Sequence, residues 1–527
     1  MRYIGFRNFR KFENLEPLEL APISIFVGGN NSGKSTVVKG ILSIMSFLEG
    51  DYDIEAEDDT GNSDEQNDSP KNRIWVSHNQ RFRFNLNYYA HIGTCKRALK
   101  NGANPKEIAF MFGIGNADFE IVVNIDDDSD EATSGRVSRI EYYHRVFKIT
   151  ILFNLIDWKA DVVFHPSDPE PYRQRALSFP PESPDYAYLM RRYDYFRSFE
   201  EDVILKIELP DINRPGISQG SLFGVLFSAV EASINASIQK EDQAKKGRML
   251  RGFTIKKMDI DDATESFLKN KLFWDVEWEQ FSFPIDFRMS SRSERFEYVY
   301  AHAVTQSVIY SAKDTNDYLV KTVHEFSDCR ISHTSKGDKK EIYKFIKKWM
   351  GLFGIGTDFV VQSVGGEAHI VKIRNKNGEE VNMADMGMGS IQLLILLFRL
   401  GVILNRSLRQ RGTTIILEEP EQNLHPKLQS KLADLLFEVN DRFGVRFIVE
   451  THSEYLIRKT QVIVGSTFDT EEKIKHNPFK VIYFPDGGMQ PYDMEYTTSG
   501  KFAKPFGEGF FDEAANLHMT VLRNSRK

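Results

Sequence analysis

Four residues near the start of the chain have the types and spacing to hold a phosphate. In "IFVGGNNSGKST", Ile25 to Thr36, residues Gly28, Gly33, Lys34 and Ser35 fit G-x-x-x-x-G-K-[ST]. Glycines at those points let successive backbone N–H groups face an anion, and the dipole of a following helix adds to the attraction. Asn30, Asn31, Ser32 and Thr36 complete the loop. Lys34 would reach the β- and γ-phosphates of a nucleoside triphosphate, and the Ser35 hydroxyl would ligate Mg²⁺. A second stretch, "TTIILEEPEQNLHP", carries an apolar run into Glu418 and Glu419. Neighbouring residues on a strand point to opposite sides, so the two acids take separate jobs. Glu418 would hold Mg²⁺, directly or through water, and Glu419 would orient or deprotonate an attacking water. Alone, Glu-Glu-Pro-Glu suits a solvated cap on the helix that opens at His425 equally well.

Two further stretches matter mainly through their order. "FIVETHSEYL" is a strand ending in Glu450, Thr451 and His452. A histidine there can donate to a γ-phosphate oxygen, although a lone histidine at a strand end is usually structural. "ADMGMGSIQLL" places Gly387, Gly389 and Ser390 at a helix start, a second N-terminus suited to anions but also an ordinary cap.

These residues need particular elements to bring them together. "RYIGFRNFRKF" reads as one strand and "LAPISIFVGG" as a second, followed at once by the loop. Val37, Ile41, Ile44, Met45 and Leu48 then recur at helical spacing, so the loop joins a strand to a helix. The last third alternates similarly: strand Thr414–Leu417, an amphipathic helix in "HPKLQSKLADLLFEVNDRFG", a strand in "VRFIVE", and a strand in "KVIYFPDGG". Between the ends lie β-rich runs, a helix expected from Ser218 to about Lys246 with Phe223, Phe227, Val230, Ile234 and Ile238 on one face, and two acidic polar stretches, Asp51–Pro70 and Asp126–Gly135, read as loops. "FVVQSVGGEAHIVKIRNKNGEEVNM" reads as a meander with an Asn-Gly turn.

Composition sets outer limits. The 527 residues are 41% hydrophobic and 27% charged, a balance able to bury several cores. A net charge of −7 confines any nucleic-acid contact to a local patch, of which Lys240–Lys257 is the best candidate. Two cysteines, Cys95 and Cys329, have no metal spacing and suit a reducing cytoplasm. The apolar run Ile391–Leu404 contains Arg399 and reads as a buried helix rather than a membrane span.

The order of the four motifs resembles that of ABC-type ATPase heads. "FRNFRKF" with "APISIFVGGNNSGKST" is similar to the opening of the SMC, RecF and OLD (overcoming lysogenization defect) group. "DMGMGSIQLLILL", "IILEEPEQNLHP" and "FIVETHSEYL" resemble the OLD-like ATPases of bacterial defence systems. The resemblance covers roughly residues 1–48 and 340–490. It implies an α/β fold: an ABC-type P-loop ATPase head with a large α+β insertion and no long coiled coil. Residues 1–48 and 341–490 would form the head, 49–340 the insertion and 491–527 a tail that either packs on the head or docks a partner. The resemblance further implies ATP and Mg²⁺, and a head-to-tail dimer or an oligomer of dimers. Lys34, Ser35, Glu418, Glu419 and His452 of one subunit would face Gly387, Gly389 and Ser390 of the other. Arg10 would lie near the nucleotide, and Asn423 in the loop linking two active sites. Gln80 is the candidate for the usual glutamine of such heads.

Full-length OLD nucleases carry a Toprim domain after the histidine strand, and the residues after His452 show no acidic nuclease cluster. The expectation is an ATP-switched sensor or scaffold in an anti-phage system, controlling a separately encoded Toprim or HNH nuclease, with DNA a further candidate partner and no membrane. A RecF-like ATPase of DNA repair is the alternative. A transporter ATPase fits poorly, because the usual Leu-Ser-Gly-Gly signature is missing.

Overall fold

The computed structural model describes residues 1–49, 80–86, 90–126, 131–145, 148–165, 170–197, 202–209, 222–238, 295–299, 310–311, 318–365, 368–407, 412–507, 511 and 513–524. The acidic stretch Asp51–Pro70 and the basic stretch Lys240–Lys257 lie outside them. Two compact units result, one of Met1–Leu18 and Lys39–Arg292, the other of Glu19–Val38 and Ser293–Lys527.

The first unit is built on an antiparallel sheet. Its strands are β1 (Tyr3–Phe9), β2 (Phe12–Glu19), β4 (Arg81–Arg83), β7 (Glu107–Ile114), β8 (Ala117–Asn124), β9 (Ser134–His144), β10 (Ile149–Asn154), β11 (Lys159–Phe164) and β12 (Val203–Glu208). The spatial order is β12-β11-β10-β9-β8-β7-β1-β2, with β4 beside β9, and β5 (Asn85–Leu86) pairs separately with β6 (Ala90–His91). The opening "RYIGFRNFRKF" is two strands rather than the expected one. Asn8 and Arg10 adopt φ of 56° and 53°, and the chain turns at Arg10–Lys11 into β2. The sequence hides β2 because its buried residues, Phe12, Leu15 and Leu18, recur every third residue rather than every second. The expected helix is α2 (Leu222–Ile238); its Phe223 and Phe227 pack edge-on against Phe119, Tyr142 and Phe153 of the sheet.

The second unit holds a mainly parallel sheet of β13 (Arg295–Val299), β18 (Thr413–Glu418), β19 (Arg446–Glu450), β3 (Ile23–Gly28), β20 (Phe479–Phe484) and β21 (Tyr492–Met494), in that spatial order. Only β21 runs antiparallel to its neighbour. Strand β3 is buried at every position, as expected for a parallel strand covered on both faces. A smaller sheet combines β14 (Tyr310–Ser311), β15 (Asp358–Val364), β16 (Ala368–Arg374) and β17 (Glu380–Asn382), and β15–β17 are the expected meander. Helix α1 (Lys34–Glu49) follows β3, with its first turn in this unit. The unit adds α3 (Tyr318–Cys329), α4 (Asp338–Phe353), α5 (Met388–Ser407), α6 (Pro426–Phe443), α7 (Glu454–Thr467) and α8 (Glu513–Asn524).

Ile23, Ile25 and Val27 of β3 join Ile415, Leu417, Phe447, Val449 and Val481 in one core with the buried faces of α3 to α7. Helix α5 is long and apolar enough to cross a membrane by length and composition, but Ile391 to Leu404 are largely buried within this core. Its one buried cation, Arg399, donates to Glu297 on β13 and Glu325 on α3, which is what permits a guanidinium there. At twenty residues, α5 is the longest helix among the described residues, and they contain no long coiled coil. The tail divides in two. Phe506 packs on Tyr483, Phe502 and Phe511, whereas Leu517, Met519, Val521 and Leu522 of α8 are exposed.

Candidate functional site

The phosphate loop leaves the carboxyl end of β3, a central strand. Gly28 has φ 149° and Gly33 φ 115°. A Cβ on Gly28 would lie 2.2 Å from the Phe484 carbonyl oxygen, so only glycine fits there. Asn31 takes a left-handed φ of 60°, which asparagine tolerates. The N–H groups of Thr36 and Val37 donate to the Gly33 carbonyl, so α1 starts directly at the loop. Lys34 is 3% exposed, and its Nζ donates to the carbonyls of Gly28 at 3.0 Å and Gly29 at 2.8 Å. The ammonium thus folds across the mouth of its own loop. Burial lowers its pKa, opposed by the charges of Glu450, Glu419, Asp486 and Glu421. Ser32 is buried, with a hydroxyl that has no hydrogen-bond partner.

Strand pairing brings the acids to the same sheet edge. Glu418 is in register with Glu450 on β19, and Glu450 with Phe26 on β3. Three neighbouring parallel strands therefore end side by side, about 5 Å apart, at the edge where α/β proteins build their sites. Glu418 closes β18, and its Oε2 accepts from the Tyr298 hydroxyl on β13. Glu419 is already past the strand. Its φ is +43°, and its N–H donates to the Glu450 carbonyl at 2.8 Å. The two acids thus diverge through a left-handed turn rather than through strand alternation. Glu419 accepts from the Gln422 amide and lies 3.8 Å from His452 Nε2.

His452 is half-buried. Burial, then the Lys34 charge, lowers its pKa, against a smaller opposite effect of Glu419. Its backbone N–H donates to Glu421 Oε1 at 2.7 Å. Glu421 is buried, and desolvation raises its pKa although the His452 N–H favours the ionised form. Ser453 caps α7, accepting from the Leu456 N–H and donating to Gln429 Oε1. The histidine is therefore held at its backbone and at the next residue, leaving the imidazole to face Glu419.

The remaining expected residues fall as follows. Ser390 and Ile391 donate to the Gly387 carbonyl as α5 begins. A Cβ on Gly387 would project into open space, whereas a Cβ on Gly389 would lie 2.5 Å from the Asn423 carbonyl oxygen. The start of α5 and the loop after Glu419 are thus in contact within one chain. Asn423 itself has φ 58°. Arg10 and Gln80 belong to the first unit. Arg10 Nε and Nη1 are buried without hydrogen-bond partners, and burial followed by the Arg97 charge lowers its pKa. Gln80 donates its amide to the Val137 and Leu155 carbonyls and is committed to its own sheet.

Three site residues receive no role from the sequence, although Glu450 and Glu421 stand inside two of its motifs. Glu450 ends an apolar strand as Glu418 does, and that signal was available. Glu421 and Tyr298 had none, because their roles depend on contacts 31 and 120 residues away in the chain. The most consequential is Glu450. It is 3% exposed, and its Oε1 accepts from Ser35 Oγ at 2.6 Å. Burial, reinforced by the charges of Glu418 and Glu419, pushes its pKa up to about 7, against the Ser35 hydrogen bond and Lys34.

A family profile described as "AAA domain, putative AbiEii toxin, Type IV TA system" matches residues 235–458, a span that includes Gly387, Gly389, Ser390, Glu418, Glu419 and His452. No curated protein matches. Among solved structures, the chain is similar to an Smc head domain from Pyrococcus furiosus, with an extended coiled coil and bound to the C-terminal domain of ScpA. Identity there is 10%, coverage 100% of this chain and 99% of that one, and the TM-score 0.32. An SMC head domain from Thermotoga maritima gives 9% identity, 94% and 100% coverage, and a TM-score of 0.31. Likenesses this loose transfer nothing to this chain. The strand order, the loop after β3 and the acids ending β18 and β19 make the second unit an α/β domain with a glycine-rich loop and two acids at the carboxyl edge of its parallel sheet.

A triphosphate on such a loop would bring Mg²⁺ with it, and the residues fit that ion. Mg²⁺ takes oxygen ligands, usually one or two carboxylates plus phosphate oxygens and water. Ser35, Glu418 and Glu450 offer oxygens, and Glu450 Oε2 is buried without a hydrogen-bond partner. Among the described residues, no three His, Cys, Asp or Glu side chains form a metal site of protein ligands alone. A cation shared with phosphates needs no such set.

Proposed function

We propose that this chain binds and hydrolyses ATP, and that the second unit is the catalytic head. The observation that carries the reading is the convergence of Lys34, Ser35, Glu418, Glu419 and His452 on the carboxyl ends of three adjacent parallel strands. The loop amides and Lys34 bind the β- and γ-phosphates, for which Lys34 exchanges its two carbonyl partners. Ser35 and Glu418 would hold Mg²⁺, which would supply positive charge against the negative charge developing on the transferred phosphoryl group. Glu419 orients the attacking water and takes its proton, and His452 donates to the γ-phosphate. Purified wild-type protein releases phosphate from ATP with Mg²⁺, and Glu419→Gln retains binding while losing turnover by at least about 100-fold. Equal turnover in the two proteins would refute this assignment.

The wider role we infer is that of an ATP-switched sensor or scaffold in a bacterial defence system, acting through a separately encoded nuclease or toxin and not cutting DNA itself. Gly387, Gly389 and Ser390 would close on the nucleotide of a second copy, with Asn423 between two such sites. Supporting this are the matched family's own description, a toxin of a toxin–antitoxin system, and the exposed start of α5 at Gly387 and Met388. Mass photometry of Glu419→Gln tests it: the mass doubles with Mg-ATP and not with ADP. A mass independent of nucleotide removes ATP as the assembly signal, and housekeeping replication genes as neighbours would favour a RecF-like repair ATPase.

A further inference from the structure

We propose that Glu450 is a direct ligand of the catalytic Mg²⁺, a second protein carboxylate beside Glu418. The inference rests on the ATPase reading above and adds to it a residue to which the motifs assign no role. Three observations carry it. Glu450 ends the strand between the loop strand and the Glu418 strand, so its carboxylate has Glu418 on one side and the phosphate loop on the other. Its Oε1 already shares a hydrogen bond with Ser35 Oγ, the hydroxyl that ligates the metal, so a cation taken by one oxygen is within reach of the other. Its Oε2 is buried and lacks any hydrogen-bond donor, whereas Glu418 Oε2 is engaged by Tyr298.

Leaving a carboxylate oxygen buried and unpartnered is unfavourable. A divalent cation removes that penalty and completes an oxygen-only donor set. Lys34 is the cation acting on Glu450, and its Nζ is turned to the Gly28 and Gly29 carbonyls. Two carboxylates at one cation would also divide the work: Glu418 is fixed by Tyr298, while Glu450 would give up the hydrogen bond from Ser35, whose hydroxyl keeps its proton, in favour of the cation. With this second anion, the head binds nucleotide weakly without metal and responds steeply to Mg²⁺.

The test is binding of a fluorescent N-methylanthraniloyl-ATP to the full chain, titrated with Mg²⁺ from an EDTA baseline. Wild type, Glu450→Gln and Glu450→Asp are compared, each first checked for folding by circular dichroism. For Glu450→Gln the Mg²⁺ concentration giving half-maximal binding rises by about 10-fold or more, while affinity in EDTA is unchanged or improved because a negative charge has left the phosphate site. Glu450→Asp falls between the two. An unchanged Mg²⁺ midpoint in Glu450→Gln overturns the proposal. So does an equal loss of affinity with and without Mg²⁺, which would make Glu450 a support for Ser35 and not a ligand. A wild type that binds no nucleotide under either condition refutes the ATPase reading itself, and this inference with it.

Discussion

Replacing Glu450 by glutamine has opposite consequences in the empty and the loaded protein, and the empty one allows a worked magnitude. In EDTA without nucleotide, the carboxylate is buried beside Glu418 and Glu419, and its pKa rises from the ordinary 4.5 to about 7. The folded state therefore holds a proton that the unfolded state releases. Below pH 4.5 both states carry the neutral acid and the group contributes no pH-dependent term. Between 4.5 and 7 the folded state loses ground steadily, and above 7 the penalty is complete. At about 1.4 kcal/mol per pKa unit, that rise corresponds to roughly 3–4 kcal/mol at most. Glutamine is neutral throughout and keeps an oxygen to accept from Ser35. Glu450→Gln should thus melt several degrees above wild type at pH 8, at about 2–4 °C per kcal/mol for a unit of this size, with the gap closing towards pH 5. Scanning fluorimetry in EDTA from pH 5 to 8.5 measures this. A gap that does not change with pH, or a mutant less stable than wild type at pH 8, refutes the argument that an unrelieved buried charge sits at that strand end. Adding Mg-ATP should reverse the order, because only wild type gains the full ligand stabilisation.

Three further outcomes are expected. Arg399→Met leaves Glu297 and Glu325 facing an uncharged side chain and should cost about 3–5 kcal/mol in denaturant unfolding, largely recovered when both acids are also changed to glutamine. Glu421→Ala removes the acceptor of the His452 N–H, with an expected cost of about 1–3 kcal/mol and a lower kcat. Glu421→Gln, which keeps an acceptor, should recover both, as chemical denaturation and steady-state kinetics can show. Gly389→Ala places a Cβ 2.5 Å from the Asn423 carbonyl oxygen and should lower the melting point by the equivalent of about 1–3 kcal/mol, whereas Gly387→Ala, with nothing near its Cβ direction, should leave it unchanged.

Much of the head was legible because its signals are local. The loop glycines announce themselves since few residues tolerate φ of 149° or a strand carbonyl 2.2 Å from a Cβ. Helix α6 could be read from its apolar spacing and from His425, Pro426 and Gly444 at its ends. Strand β2 was not legible, because it buries every third residue, forms the edge of its sheet and carries Pro17. The divergence of Glu418 and Glu419 was expected for the wrong reason: strand alternation was assumed, where a left-handed residue past the strand end does the turning.

By itself the sequence picked out the loop, the paired acids and the histidine as candidates for phosphate and metal, and the order along the chain of the strands that carry them. Those properties reside in short stretches, where backbone conformation and side-chain type suffice. It could not determine that β19 lies between β18 and β3. Lateral strand order in a parallel sheet is set by how helices such as α6 and α7 pack over its faces, through contacts hundreds of residues apart. That order alone puts Glu450 against Ser35. It therefore decided that a second, buried acid stands beside Glu418 at the carboxyl edge of the sheet, the residue proposed above as a metal ligand.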